Sequence, residues 1–435
     1  VVAVVGRLEA GEVPADLDVH LTADLTRPCG MIAVLSGRPE RIFAKLWDAG
    51  QVLTPLADFT PDARLPRADT RQAYLSAATL REALAATRAV RVAARELPVP
   101  PRDDDHRAFT ALALAATRGV ALNAAWTATV PDMVGYPLLA GLEGPRTALE
   151  PLAEMGLVTR RFFERVHVCG GCGGARLAAR EVCAACGSAH LHDAELVHHY
   201  RCGHQGPRAG FRRPDTHHLM CPKCDRIVRH YGVDYDVPGQ VTICMACGES
   251  ASDPPVSFAC GDCGAETPGD TAAVREWFHY DLAPAGRDAV RRGRLPATDL
   301  AALLSRREVP GHQAPRDLAM LLTYARRVAA RYERPFLVMT VTPDTSAEPS
   351  ITERTRIYMR LADVVSGTVR ESDFVTVLDQ RVVIFLPETP PDQAARVRER
   401  LTASLETAMG EHGRATITEV SEDELDDLVT RLRGG

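Results

Sequence analysis

No apolar run in the 435 residues reaches the ~20 needed to cross a bilayer, because Arg, Asp or Glu interrupts each one, so no membrane span is expected. The opening VVAVVGRLEAGE lacks a basic region and a cleavage site, which predicts no secretory signal and a reducing, cytoplasmic setting. Positive charge is in short supply too: 51 Lys and Arg face 57 Asp and Glu, a formal −6. An anionic chain is a poor nonspecific ligand for nucleic acid. Neither His-x-Glu nor His-Glu-x-x-His occurs, so the usual signatures of a hydrolytic zinc site are missing. The apolar and charged fractions, 46% and 25%, are ordinary for globular protein, and the length implies two to four domains.

Cysteine is what the chain does have, and eleven of its 12 lie between Cys169 and Cys263. They form five Cys-x-x-Cys pairs, at Cys169/Cys172, Cys183/Cys186, Cys221/Cys224, Cys244/Cys247 and Cys260/Cys263, with Cys202 left alone. His199 stands three residues before Cys202, so His199-Tyr-Arg-Cys202-Gly203 repeats the knuckle spacing. Paired thiols in a chain without an export signal point to metal ligation rather than disulfides. Twelve ligands make three tetrahedral zinc sites, and a glycine after the second ligand suits the left-handed turn of a zinc knuckle.

Spacing favours sequential pairing. Cys169, Cys172, Cys183 and Cys186 would form one ribbon, His199, Cys202, Cys221 and Cys224 a second, and Cys244, Cys247, Cys260 and Cys263 a third. His204 is an alternative to His199, and an interleaved arrangement would join Cys221/Cys224 to Cys244/Cys247 and Cys202 to Cys260/Cys263. With eleven thiolates and three Zn²⁺ the formal −6 becomes about −11. Closed Cys-rich sets are structural, and iron-sulfur ligation is the minor alternative. One basic surface lies between Tyr200 and Tyr231, with Arg201, Arg208, Arg212, Arg213, Lys223, Arg226 and Arg229 against Asp215 and Asp225. It suits an anion, a protein partner or nucleic acid, or simply offsets the thiolates.

The flanks read as separate domains. In 1–105, MIAVLS (31–36), PERIFAKLWDAG (39–50) and VLTPL make a βαβ-like unit, and 71–95 reads as one long helix before the linker 96–106. This faintly resembles the second half of a response-regulator receiver, without the acidic cluster for Mg²⁺; Asp16, Asp18 and Asp24 read as loop acids and Cys29 as a packed turn cysteine. Residues 106–295 place a helical, winged-helix-like lead-in before the ribbons, with 147–169 running from helix into β-ribbon. A Pro- and Ala-bearing connector, 296–313, precedes a last α+β domain at 310–435. The fold class is therefore multi-domain α/β: a partial receiver-like unit, a helical segment with three zinc ribbons, and a C-terminal α+β domain.

Two resemblances add to this. YPLLAGLE (136–143), GLVTRRFFERVHVC, LVHHYRCGH (196–204), MCPKC (220–224) and HYGVDYD (230–236) resemble the Thaumarchaeal output domain, a zinc-ribbon signalling module, over about 106–283. That likeness implies a non-catalytic output with a protein partner in a signalling pathway. TVRESDFVTVLDQRVVIFLPETPPDQAARV resembles a GGDEF diguanylate cyclase domain in degenerate form. Where that family has its Gly-Gly-Asp-Glu turn, this chain has Leu378-Asp379-Gln380-Arg381-Val382, which lacks the glycines for phosphate approach and the acidic pair for metal. Thr340 and Thr342 replace an expected metal Asp, with Asp344 a late substitute, and PDTSAEPS replaces the guanine-contacting segment. Without Mg²⁺ ligands the phosphate charge cannot be neutralised, so no cyclase activity is expected. Arg370 and Asp373 survive as an Arg-x-x-Asp before the turn, where the resemblance implies a cyclic di-GMP site. An Arg fork suits phosphate or guanine, and an Asp accepts guanine N–H; a helix-end salt bridge is the plainer alternative.

Overall fold

The computed structural model describes residues 2–5, 19–21, 29–35, 39–61, 65–98, 105–213, 217–344, 350–409 and 414–434. Asp16, Asp18, Asp24, Asp215 and the segment 345–349 lie outside them. The chain divides into two compact units. One comprises Val1–Asn123, Tyr136–Arg161 and Phe278–Gly435, the other Ala124–Gly135 and Phe162–Trp277. The lead-in helices and residues 278–295 thus fall with the chain's two ends rather than with the cysteines. Among the described residues no helix is long and apolar enough to cross a membrane.

The first unit opens with strands β1 (Val2–Val5), β2 (Val19–Leu21) and β3 (Met31–Val34), helix α1 (Pro39–Asp48), and strands β4 (Leu56–Asp58) and β5 (Thr70–Arg71). All neighbours pair in parallel, in the order β2-β1-β3-β4-β5. The sheet thus extends beyond the βαβ-like unit read from 31–55, and its five strands take a 2-1-3-4-5 order, one of those found in doubly wound sheets. The four residues of β3 are buried on both faces, as a central parallel strand requires. Cys29 is half-buried just before β3, and burial raises its thiol above the usual value. The long helix expected over 71–95 is two, α2 (Ala77–Ala86) and α3 (Arg88–Glu96). The break falls at Thr87, which is buried and turns its hydroxyl back to the Ala83 carbonyl at 2.8 Å.

Helix α4 (His106–Arg118) ends at Gly119 in the left-handed conformation. A short hairpin follows, β6 (Ala125–Trp126) with β7 (Val134–Gly135), then α5 (Pro145–Glu154) and the long strand β8 (Val158–Val168). The second unit continues with β9 (Leu177–Glu181), β10 (Leu191–His199), β11 (His204–Pro207), β12 (Leu219–Met220), β13 (Ile227–Val228), β14 (Tyr235–Cys244), β15 (Ser250–Ala251), β16 (Val256–Cys260) and β17 (Glu266–Pro268). Strand β18 (Ala273–Leu282) pairs with β8, so these two carry the chain out of the first unit and back. The winged-helix-like expectation fails here, because the strand after α5 finds its partner about a hundred positions on instead of in a local wing.

The rest of the first unit is α6 (Pro284–Arg292), α7 (Leu300–Arg306), α8 (Pro315–Tyr332), β19 (Phe336–Pro343), α9 (Ile351–Thr368), β20 (Phe374–Leu378), β21 (Arg381–Pro387), α10 (Ala394–Met409), β22 (Ala415–Glu419) and α11 (Glu422–Gly434). The antiparallel sheet β20-β21-β19-β22 has a βαββαβ connectivity. Leu361, Leu401 and Val375 sit in a core shared with α9 and α10; Leu318, Phe385 and Leu428 form a second core with α8 and α11. The expected connector 296–313 is not loose: α7 buries Leu300, Leu303 and Leu304 in the first of these cores, and Gln313 N–H bonds the Val375 carbonyl at 2.8 Å, covering the free edge of β20.

Candidate metal centres

Each knuckle is built the same way. The first ligand's carbonyl accepts the N–H of the residue after the second, as in Gly173 to Cys169 (2.9 Å), Gly203 to His199 (2.9 Å) and Asp225 to Cys221 (2.9 Å). That last residue has positive φ in all six knuckles; five use glycine and the sixth uses Asp225 at φ 54. The first ligand of every knuckle is buried beneath its own turn, and in the two all-cysteine groups the second is exposed.

The strands, not the spacing, decide which knuckles meet. Antiparallel β10 and β14 align Leu191 with Cys244, bringing Cys183 and Cys186 against Cys244 and Cys247. Antiparallel β9 and β16 align Leu177 with Cys260, bringing Cys169 and Cys172 against Cys260 and Cys263. Two backbone bonds close these junctions, Met245 N–H to the His190 carbonyl and Gly261 N–H to the Arg176 carbonyl, each 2.8 Å. Sequential pairing of the first and third ribbons is thus overturned, and so is the interleaved alternative. The groups are nested, Cys169/Cys172/Cys260/Cys263 outside Cys183/Cys186/Cys244/Cys247 outside His199/Cys202/Cys221/Cys224. The innermost set is the sequential one. His199 enters it through Nδ1, 3.2 Å from Cys202 Sγ and 3.5 Å from Cys224 Sγ, whereas His204 stands outside it with its ring against Phe211.

The donor atoms of each group lie within 4.8 Å of one another. Cys169 and Cys263, Cys172 and Cys260, Cys183 and Cys247, and Cys186 and Cys244 are each 3.6 Å apart at sulfur. That is far from the ~2.05 Å of a disulfide and near the ~3.8 Å edge of a tetrahedron with 2.3 Å metal–sulfur bonds. The electrostatics agree. Backbone N–H groups of Cys172 and Gly171 bring Cys169 down to about 7, and those of Cys247 and Ala246, against burial, bring Cys244 to about 6. Cys172 and Cys247 rise to about 12: the Gly174 and Glu249 N–H groups pull them down, but the neighbouring thiols outweigh that. Four thiols this close ionise together only around a cation. These three groups could each hold a metal ion.

The basic surface beside the innermost group is partly engaged. Arg208 pairs with Glu195, Arg213 with Asp225 at 3.0 Å, and Lys223 Nζ donates to the Cys202 carbonyl at 3.3 Å.

In the C-terminal sheet, Asp379 and Gln380 both have positive φ, 50 and 59, and Leu378 pairs with Arg381. This is a two-residue type I′ hairpin turn made without glycine. Asp379 pairs with Arg431, and Gln380 Oε1 accepts the Leu300 N–H at 3.3 Å. Asp344 is exposed at the end of β19. Of the Arg-x-x-Asp pair, Arg370 is exposed, while Asp373 is 4% exposed and its carboxylate accepts the Arg370 backbone N–H at 2.7 Å. Asp105, which the sequence reading left in a linker, is 3% exposed and accepts the N–H groups of Ile351 (2.9 Å) and Thr352 (2.8 Å) at the start of α9. The acidic run before His106 is its only trace in the sequence, and within a linker that run names no partner.

The family profile of Thaumarchaeal output domain 1 matches residues 101–282. No curated protein matches the chain. Among solved structures it is similar to a DGC protein from Thermotoga maritima, at 20% identity over 27% of this chain and 90% of that one, with a TM-score of 0.23. It is also similar to the diguanylate cyclase SiaD of Pseudomonas aeruginosa, in complex with its activator SiaC, at 16% identity over 32% of this chain and 58% of that one, TM-score 0.23.

Proposed function

We propose that this chain is a non-catalytic signalling protein in which three zinc ions fold an output module and a GGDEF-like domain has kept its connectivity while losing cyclase chemistry. Two S₄ sets and one S₃N set, each spanning at most 4.8 Å, fit a single soft tetrahedral ion better than a cluster. Four protein donors close the coordination shell, so zinc here supplies charge neutralisation and folding energy and leaves no position for a reacting water.

The observation that carries the non-catalytic reading lies beside the degenerate turn. The end of the sheet where a cyclase would receive GTP phosphates is occupied by the chain's own groups. The N-terminus of α9 would otherwise suit an anion, and Asp105 saturates it. Gln380 holds Leu300, Thr298 bonds Thr355 through their hydroxyls, and Asp379 is taken by Arg431. Incubating the zinc-loaded protein with GTP and Mg²⁺ or Mn²⁺ tests this. No cyclic di-GMP is expected by chromatography, and turnover above a protein-free blank would sink the reading.

Cyclic di-GMP as a ligand rather than a product is the second reading, favoured by the exposed Arg370. Asp373 is spent on its own turn, so Arg370 would take the phosphate and Asp373 would only shape the loop. Calorimetry separates the cases: heat that disappears in Arg370→Ala supports a nucleotide site, and no heat at high micromolar ligand leaves a domain that works through protein contacts.

A further inference from the structure

Helix α8 carries large apolar side chains on the wrong side for its own core. Leu318, Ala319 and Leu322 are buried among α11 and the sheet. Yet Met320 and Tyr324, one turn apart, are 66% and 68% exposed. At 3.6 residues per turn, Arg316, Met320, Tyr324, Arg327 and Arg331 fall within an arc of about 80°. Arg433 of α11 joins them, donating from Nη2 to Thr323 Oγ1 at 3.0 Å, and a shallow cleft of about 380 Å³ lies between the two helices. Arg326, one position off the stripe, is neutralised by Asp426. Among the described residues Arg316 and Arg327 have no acidic partner.

We propose that this face docks an acidic, amphipathic segment of a partner protein, with apolar side chains seated on Met320 and Tyr324 and carboxylates taken by Arg316, Arg327 and Arg433. Aromatic, Met and Arg side chains are the composition of energetic interface centres, and the Arg fork takes a carboxylate bidentately. The stripe from Arg316 to Arg331 is about 22 Å long, which matches some four turns of helix and exceeds any small anion. A second copy of the chain fits poorly, since two-fold pairing of this face sets arginine against arginine. A nucleic acid would use the cations but give the exposed Met320 nothing to do. None of these residues is a metal ligand or belongs to the hairpin turn, so the proposal stands whether or not those readings hold.

The test uses fluorescence anisotropy with the full zinc-loaded chain. The probe is a labelled helical peptide of about five turns carrying leucines on one face and glutamates flanking them. Saturable binding is expected, weakened about tenfold or more both in Arg316→Glu/Arg327→Glu and in Met320→Ser/Tyr324→Ser. Circular dichroism and zinc content should be unchanged in both, since the four residues are exposed. The proposal is overturned if the peptide does not bind, or if either double variant binds it as well as the parent does. It is equally overturned if an all-glutamate peptide or a DNA oligonucleotide of equal charge binds as tightly, or if sedimentation shows a dimer that these substitutions dissociate.

Discussion

The carboxylate of Asp105 accepts the backbone N–H of Thr352 at 2.8 Å, and the Thr352 hydroxyl at 2.7 Å, across 247 positions of sequence. With the Ile351 N–H it caps α9 from outside that helix's own segment. Removing a buried acceptor leaves those donors unsatisfied, so Asp105→Ala is expected to cost about 2 kcal/mol. Asp105→Asn, which also caps, should cost less than half of that. Urea unfolding of the zinc-loaded protein reads both; equal midpoints for Ala and parent would show that the cap is dispensable.

Glu154 gives a pH prediction. It is buried, and burial alone would raise its carboxyl, but hydrogen bonds from Arg160 at 2.8 Å and Arg307 at 3.2 Å hold it below the ordinary Glu range. A carboxylate depressed in the folded state adds stability above its unfolded value and loses it as pH falls through the folded value. The stability gap between parent and Glu154→Gln should therefore be fully open at neutral pH and close as acid passes below the usual Glu range. Taking the difference between the two proteins at each pH cancels the acid release of metal. A gap that widens on acidification would contradict the pairing.

Asp225 stands in the left-handed conformation where the five other knuckles have glycine. Its ion pair with Arg213 is exposed and contributes little. Asp225→Gly is expected to relieve about 0.5–1 kcal/mol of backbone strain and to slow metal release to a chelator. In the opposite sense, Gly248→Ala, at φ 81 with open space around its Cβ, should hasten release through backbone strain alone. Faster release from the Asp225→Gly protein would mean that the ion pair outweighs the strain.

How legible this was depends on range. Knuckle spacing is local, so His199 could be picked out three residues before Cys202, and the helix and strand segments of the C-terminal sheet could be read from their periodicity. Which knuckles meet was not legible, because it is fixed by antiparallel registers such as Leu191 with Cys244, between strands far apart in the sequence whose pairing no local spacing reveals. The same holds for Asp105 and for Leu300 in α7: a linker and a Pro- and Ala-bearing stretch become cap and core only through partners far along the chain. The Thr87 break was missed because helix propensity says nothing about a buried hydroxyl.

The most direct measurement is the zinc content of the double variant Cys172→Ser/Cys263→Ser beside the parent, by elemental analysis of protein refolded with limiting zinc. The parent should hold close to three equivalents. Because Cys172 and Cys263 share one group, the variant should lose a single ion and keep two. Retention of only one, as two separate sequential ribbons would give, or iron in place of zinc, would contradict the nested centres on which this account rests.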